Sequence, residues 1–213
     1  MKKLFLQIFL FAYCLLPIAN SLKAQTNYSK IVNPFIGTGG HGHTFPGAVA
    51  PFGMVQLSPD TRVDGSWDGC SGYYHSDSVI YGFSHTHLSG TGCSDYGDIL
   101  LMPIVTDMKV KGEDHSYLNN KNYSSTYSHA NEKANAGYYK VKLDKYNITA
   151  ELTTTTRVGM HKYSFPKTNN ASIVIDLIHR DEVIDSYLEV LNDSTVRGYR
   201  RSKAWATDQR VYF

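Results

Sequence analysis

The sequence predicts an all-β protein, an antiparallel β-sandwich, and three observations support that prediction. The second half of the chain carries short runs of alternating polar and apolar residues rich in Tyr, Val and Thr, a pattern typical of half-buried strands. Turn-forming Gly, Asn and Asp residues separate these runs. Between Lys30 and Pro59, Gly and Pro interrupt every apolar piece, so no long amphipathic helix fits there. Two sheets packed face to face are the arrangement that buries such strands.

Residues 1–24 are predicted to form a secretory signal peptide. Two lysines precede an apolar run from Leu4 to Leu16, a proline ends the run, and small and polar residues follow up to Ala24. The run is too short to span a bilayer, and no other stretch is apolar enough to do so. We therefore expect export to the periplasm or the extracellular space, with residues 25–213 forming the β-sandwich.

The charge balance argues against a nucleic-acid partner. The chain has 21 Lys and Arg against 19 Asp and Glu, and three of the lysines lie in the leader, which leaves 18 against 19, a net charge of −1. No basic surface is implied by that balance.

Two cysteines, Cys70 and Cys93, remain outside the leader. In an oxidising compartment they could form a disulfide or stay as free thiols. The sequence does not decide between these alternatives.

The predicted strands follow one another along the chain: Met54–Leu57, Ile99–Met102, Tyr138–Leu143, Ile148–Thr153, Met160–Phe165 and the apolar, more buried Ala171–His179. A hairpin with its turn at Asn192, Asp193 and Ser194 comes next. A new apolar and aromatic strand begins at Gln209, so we expect the sandwich to be incomplete at its C-terminal end. The polar segment 107–137 is predicted to be a long excursion across the surface.

The stretch NPFIGTGGHGHTFPGA, residues 33–48, contains five glycines, two prolines and two histidines. It lacks the lysine and the glycine spacing of a phosphate-binding loop, so a nucleotide site is not expected. Glycine does permit a close backbone approach around a small polar ligand. His41 and His43 share a face if the segment is extended, although both could equally be polar loop residues bonded to the backbone.

A second histidine pair, His85 and His87, is followed by Asp95 and Asp98. Two histidines on one face and a carboxylate could bind a transition metal. The known zinc-binding patterns are missing, however, and a His-x-His inside a strand can simply bond neighbouring loops.

The turn SWDGCSGYYH places an indole beside a carboxylate at Trp67 and Asp68. An aromatic face stacks on the C–H face of a sugar while carboxylate and imidazole groups bond the hydroxyls. The alternative is that Trp67 fills the core and Asp68 forms an Asx turn. Because such residues crowd the first third of the chain, we expect function there.

Three stretches closely resemble the N-terminal domain of glycoside hydrolase family 92, the exo-acting α-mannosidases. They are VNPFIGTGGHGHTFPGAVAPFGMVQLSPDTR, WDGCSGYYHSDSVIYGFSHTHLSGTG and DYGDILLMP. The resemblance is long and specific from Val32 to Pro103 and looser up to WATDQRVYF.

That resemblance implies a β-sandwich docked on a C-terminal (α/α)6 barrel, with a calcium-dependent, inverting site for α-mannosides between the two domains. It places Trp67 beside a mannose-containing glycan. Six further residues are then neighbours of the pocket or of the domain interface: Thr38, His41, His43, Asp68, His85 and His87.

The resemblance also implies that the general acid, the general base and most calcium ligands lie in the barrel. Four aspartates of this chain are therefore not candidates for acid or base: Asp60, Asp68, Asp95 and Asp98. We expect this chain alone to be inactive, with no catalytic residue and no metal ligand of its own. Two other hypotheses stay open, a self-sufficient carbohydrate-binding module and a metal-dependent hydrolase using the four histidines of the two pairs.

Overall fold

The computed structural model describes residues 27–105 and 122–213, and the regular secondary structure of these residues is almost entirely β-strand. Residues 32–213 form one unit. A 3-10 turn, Tyr28–Ile31, belongs to a separate unit. The predicted signal peptide lies outside the described residues, and within them no helix is long and apolar enough to cross a membrane.

The described strands, in chain order, are β1 (Ala48–Val49), β2 (Gln56–Asp60), β3 (Val79–Ile80), β4 (Gly82–Ser84), β5 (Leu100–Val105), β6 (Ser125–Thr126), β7 (Glu132–Asn135), β8 (Tyr138–Leu143), β9 (Ile148–Thr154), β10 (Gly159–Ser164), β11 (Ala171–Asp176), β12 (Glu182–Asn192), β13 (Thr195–Lys203) and β14 (Gln209–Tyr212). A second 3-10 turn, His129–Asn131, precedes β7.

Two antiparallel sheets form the sandwich. One has the strand order β1-β2-β4-β5-β11 and the other has the order β10-β9-β8-β7. One continuous core joins them, because fully buried side chains such as Leu57 and Phe83 of the first sheet pack in the same cluster as Tyr139 and Leu152 of the second. The predicted all-β, antiparallel sandwich is confirmed.

A third sheet, β12-β13-β14, extends the architecture, and β3 pairs with β6 as a small ribbon. The predicted hairpin is confirmed, since β12 ends at Asn192 and β13 begins at Thr195. The Asn192 side chain accepts a hydrogen bond from the Ser194 amide (3.0 Å), which fixes this turn. The strand predicted from Gln209 is β14.

Two predicted strands differ from the structure in ways that burial explains. The strand predicted over Met54–Leu57 runs instead from Gln56 to Asp60. It continues past Leu57 because Asp60 is fully buried and its carboxylate accepts a hydrogen bond from the Ser84 amide (3.0 Å). The strand expected to be buried, β11, pairs only with β5 and lies at the edge of its sheet, where Ile173 is 52% exposed.

Part of the predicted surface excursion is a strand. Residues 107–121 lie outside the described residues, but Glu132–Asn135 form β7, paired with β8. The strand was not predicted because one of its inward side chains, Glu132, is charged. The Glu132 carboxylate accepts hydrogen bonds from the hydroxyls of Tyr73 (3.1 Å) and Tyr139 (2.6 Å) and lies 2.6 Å from His129 Nδ1. Three hydrogen bonds offset the cost of burying that charge.

Both Cys70 and Cys93 are free thiols in the structure. Cys70 is buried and Cys93 is exposed, and burial raises the pKa of the Cys70 thiol.

Candidate functional site

Four of the seven predicted site residues meet at the surface in one aromatic and polar cluster, which we call the Trp67 cluster: His41, His43, Trp67 and Asp68. The indole of Trp67 is 55% exposed. The His43 ring packs edge-on against it (centroids 4.3 Å apart, 87°), and the His41 ring lies tilted at 4.9 Å. His41 Nδ1 lies 2.8 Å from Asp68 Oδ1, which joins the glycine-rich stretch to the Trp67 turn.

His43 is the least exposed member of the cluster. It takes a left-handed backbone conformation (φ 53°) and is only 7% exposed. Its Nε2 atom is buried and has no hydrogen-bond partner among the described residues. An unsatisfied buried nitrogen costs free energy, so this atom marks a place where a further polar group would be favourable.

Glycines allow the loops of the cluster to touch. A Cβ atom on Gly92 would lie 2.7 Å from Trp67 Nε1 and 3.3 Å from a ring carbon of His43. A Cβ atom on Gly42 would lie 2.1 Å from the carbonyl oxygen of Gly37. A side chain at Gly92 would displace the two rings, and one at Gly42 would displace the Gly37 backbone, which explains why glycine occupies both positions.

Arg62 stabilises the Trp67 turn, and it was not among the residues predicted from the sequence. Its guanidinium donates to the backbone carbonyl of Asp68 (3.2 Å) and forms a two-pronged ion pair with Asp77 (2.9 and 3.1 Å). It also lies over the Tyr74 ring at 4.4 Å from the centroid. No sequence motif marks Arg62, because its partners come from two separate turns.

Thr38 is buried and belongs to the loop backbone. Its hydroxyl donates to the Phe35 carbonyl (2.9 Å), and its own carbonyl accepts from the His75 amide (2.9 Å). These bonds shape the glycine-rich loop. Direct contact of Thr38 with a ligand stays a prediction.

His87 is fully buried and lies in a charged interior cluster. Its Nδ1 faces the Gln56 carbonyl (2.7 Å), and its Nε2 lies 3.3 Å from Asp60 Oδ1. His179 and Arg180 approach the same carboxylate at 3.5 and 3.8 Å. Burial alone would raise the pKa of Asp60, but the two histidines hold it well below its ordinary value. In this structure His87 therefore links its loop to Gln56 and Asp60 of β2. That His87 lies near a bound sugar stays a prediction.

His85 lies in a hydrogen-bonded chain between the sheets. Its Nδ1 faces the Ile99 carbonyl (2.7 Å), its Nε2 meets His161 Nε2 (3.0 Å), and His161 Nδ1 meets the Tyr163 hydroxyl (2.7 Å). Burial lowers the pKa of His85, and burial and the neighbouring His85 lower the pKa of His161 to about 3. Both rings are therefore neutral at pH 7 and act as links in the interior.

The described residues offer no metal centre. Within ranges 27–105 and 122–213, no three His, Cys, Asp or Glu side chains are arranged to hold an ion. A cavity of about 460 Å³ lies apart from the Trp67 cluster, between β5, β11 and the third sheet, and its lining is mainly apolar. A cavity of that character does not suit a polyol, so the Trp67 cluster is the better candidate for a sugar.

Chemically, the Trp67 cluster has the features of a sugar-binding surface. It offers an exposed ring face, an imidazole and a carboxylate, which suit the C–H face and hydroxyls of a sugar. Two of the four aspartates, Asp60 and Asp98, are buried in ion pairs.

Comparison with known proteins gives a consistent result. The model of the glycosyl hydrolase family 92 N-terminal domain matches residues 31–213. A family GH92 α-mannosidase from Bacteroides thetaiotaomicron, solved in complex with mannoimidazole, superposes with a TM-score of 0.77 at 42% identity, covering 86% of this chain and 24% of that one. The family GH92 inverting mannosidase from Bacteroides thetaiotaomicron VPI-5482 gives a TM-score of 0.68 at 27% identity, covering 85% of this chain and 24% of that one.

A curated relative from Arthroderma benhamiae, described as an uncharacterized secreted glycosidase, is 32% identical over 167 residues, which are 74% of this chain and 20% of that protein. The chain thus spans about a fifth to a quarter of the length of the relatives it matches.

Proposed function

This chain belongs to glycoside hydrolase family 92, and from that premise we propose that it completes the sugar pocket of an exported α-mannosidase acting on mannose-containing glycans. The N-terminal domain model spans the whole described sandwich, and the solved relatives named above are mannosidases.

The observation that carries this proposal is the exposed indole of Trp67 held between two imidazoles. A tryptophan that filled the core would be buried, whereas this ring is 55% exposed and fixed by His43, Gly92 and the Arg62-supported turn. A rigid aromatic face loses little conformational entropy when it binds a ligand. In this proposal the indole stacks on the mannose ring, and the side chains of Asp68 and His41 bond its hydroxyls.

Hydrolysis needs groups that we propose lie beyond the described residues. Inversion requires an acid and a base roughly 6.5–9.5 Å apart with room for a water molecule. In our proposal both belong to a helical C-terminal domain of the parent protein, against which the loops of the Trp67 cluster dock. The lengths of the solved relatives support such a partner.

The calcium ion that the family resemblance implies does not fit the described residues of this chain, since they form no group of three or more suitable ligands. We therefore propose that the ligands of this ion lie elsewhere in the parent protein. Export, which the leader-like sequence of residues 1–24 favours, is part of the same proposal.

The experiment is to express the reading frame that contains this chain and to measure hydrolysis of an α-linked mannobiose. We expect Trp67→Ala to lower kcat/KM by roughly 30-fold, equivalent to about 2 kcal/mol of transition-state binding. Trp205→Ala is the matched control, because Trp205 has similar exposure (64% against 55%) on the β13–β14 loop. Equal effects of the two substitutions would refute the role of Trp67.

A stand-alone carbohydrate-binding module is the second candidate, and the completeness of the Trp67 cluster within one chain favours it. It predicts that the 213-residue chain binds methyl α-mannoside measurably in a calorimetric titration, whereas half of a pocket binds it hardly at all. Binding abolished by Trp67→Ala would favour the module.

A further inference from the structure

Three tyrosines form a row across the third sheet, far along the chain from Trp67. Strand pairing sets Tyr187 of β12 opposite Tyr199 of β13, and Tyr199 opposite Tyr212 of β14. The ring centroids are 6.0 Å apart in the first pair, with nearly parallel planes (24°), and 5.8 Å apart in the second. We call this arrangement the tyrosine row.

The tyrosine row lies on the face of the third sheet that points away from the protein interior. Along β13 the alternate residues Gly198, Arg200 and Ser202 are buried, so Tyr199 points the other way. Tyr187 is 49% exposed and Tyr212 is 69% exposed. Both side chains therefore present ring surface that is accessible to a ligand.

Charged side chains surround the row and neutralise one another. Arg197 pairs with Glu189 (2.7 Å), Lys203 with Glu182 (2.9 Å), and Asp208 with both Arg201 (2.7 Å) and Arg210 (2.9 Å). Asp185 accepts a hydrogen bond from the Tyr199 hydroxyl (2.5 Å). Four basic and four acidic groups thus face outward together, and the surface carries no net charge.

We propose that the tyrosine row is a second carbohydrate-binding surface, which takes an extended, neutral oligosaccharide across β12, β13 and β14. Sugar rings stack on aromatic faces, and their hydroxyls bond the guanidinium and carboxylate groups of the rim. Because strands repeat every 4.7–4.9 Å, successive tyrosines recur at a spacing comparable to that of linked pyranose rings.

The balanced charges around the tyrosine row favour a neutral ligand over an anionic one. An anionic chain or an anionic membrane would require uncompensated basic residues, and here each rim cation has an acidic partner. A neutral polyol fits this balanced rim, because its hydroxyls can bond both the basic and the acidic groups without adding charge.

The inference does not depend on the proposed function, because Trp67 and the tyrosine row lie on different elements and either could bind a sugar without the other. Binding to a polymer through the row would hold the protein on its glycan and raise the local concentration of chain ends.

The test is affinity gel electrophoresis of the 213-residue chain in gels containing soluble α-mannan, dextran or heparin. We expect a neutral polysaccharide, and not heparin, to retard the wild type. The double variant Tyr187→Ala/Tyr212→Ala should bind about tenfold more weakly, since each change removes an exposed ring. Tyr28→Ala is the matched control, as it removes a tyrosine of equal exposure (68%) from another element.

Trp67→Ala should leave this retardation unchanged, which distinguishes the two sites. If the double variant fails to fold, ring signals of Tyr187, Tyr199 and Tyr212 in tyrosine-labelled wild type should shift on titration with the same polysaccharide. Absence of retardation by either neutral polymer, or retardation that the double variant retains, would overturn the proposal. Self-association of the wild type that the double variant loses would also overturn it, because the face would then be a protein interface.

Discussion

The contact between Gly92 and Trp67 shows how a single residue sets the geometry of the candidate site. Gly92 has a left-handed backbone (φ 72°), and its missing side chain is what lets the indole lie against the loop. Gly90 has nearly the same conformation (φ 76°), but a Cβ atom there would meet nothing within 4 Å. Two glycines that look alike in the sequence therefore have different roles.

Alanine at these two positions separates backbone strain from contact with the indole. We expect Gly90→Ala to lower the free energy of unfolding by about 1–2 kcal/mol, the cost of a left-handed non-glycine residue. Gly92→Ala should cost more and should also move the Trp67 ring. The measurement is Trp67 fluorescence in a Trp205→Phe background. An emission spectrum of Gly92→Ala identical to that of Gly90→Ala would contradict the expectation.

The chain from His85 through His161 to Tyr163 fixes which ring nitrogens carry protons. The Ile99 carbonyl can only accept, so His85 donates from Nδ1 and its Nε2 accepts from His161. His161 Nδ1 is then left to accept from the Tyr163 hydroxyl. A proton added to either ring breaks this order.

Acid should therefore destabilise the fold through His161. The unfolded chain binds a proton there below pH 6.5 and the folded chain only below about pH 3. The free energy of unfolding thus falls between these limits, by up to about 1.4 kcal/mol per pH unit. Burial raises the pKa of Asp181 to about 6, so Asp181 increases the free energy of unfolding as the pH falls from 6 to 3.8. The effect of His161 is therefore measured as the difference in the free energy of unfolding between the wild type and a variant.

We expect His161→Phe to be less stable than the wild type at pH 7, because Tyr163 and His85 lose a partner. The gap should narrow as the pH falls from 6.5 to 4, as measured by urea unfolding. Met160→Phe, on the exposed face of the same strand (63% exposed), is the control and should keep a constant difference. A constant gap for His161→Phe would show that the ring is not the titrating group.

At the scale of elements, β13 ties the third sheet to the sandwich through its buried face. Arg200 donates to Asp98 Oδ1 (2.5 Å), to the Ser202 hydroxyl (2.9 Å) and to the Leu177 carbonyl (2.9 Å). The other oxygen of Asp98 accepts from Thr86 (2.6 Å) and from Gln209 of β14 (2.7 Å). The outer face of the same strand carries the tyrosine row, so one strand both anchors the sheet and displays a surface.

Substitutions on the two faces of β13 should differ sharply in cost. Arg200→Met leaves a buried carboxylate without its cation, and we expect a loss of about 3–5 kcal/mol. Arg197→Met removes an exposed ion pair and should cost less than about 1 kcal/mol. Urea unfolding measures both. Adding Asp98→Asn to Arg200→Met should recover part of the loss, and a strictly additive double variant would rule out direct coupling.

At the scale of the whole molecule, the described sandwich leaves an apolar surface exposed apart from the Trp67 cluster. Its exposed apolar side chains include Met54, Val158 and Ile173 around the 460 Å³ cavity. Surfaces of this kind mark interaction sites in soluble proteins. They are compatible with a domain that works against a partner.

We expect the 213-residue chain to release no mannose from α-mannobiose or from 4-nitrophenyl α-mannoside, because binding groups without a placed acid and base give affinity and no turnover. A family GH92 α-mannosidase from Bacteroides thetaiotaomicron, assayed in parallel, is the positive control. Hydrolysis by the chain that Trp67→Ala abolishes would place a complete active site within it.

By itself the sequence determined the all-β class, the strands β8, β9 and β10, the hairpin turn at Asn192 and the family. These depend on alternation, turn residues and long motif blocks, which are local along the chain. It also identified the residues of the Trp67 cluster, since Gly, His and Trp are conspicuous in a loop.

Only the tertiary structure decided which histidines share a site. The spacing of His85 and His87 repeats that of His41 and His43, yet the later pair is turned into the interior, where its partners are Asp60 and His161. Strand β7 and Arg62 escaped prediction because polar side chains are held there by partners that no sequence motif links to them. Burial of a polar side chain depends on how the sheets and loops pack, and the alternation of polar and apolar residues does not reveal it.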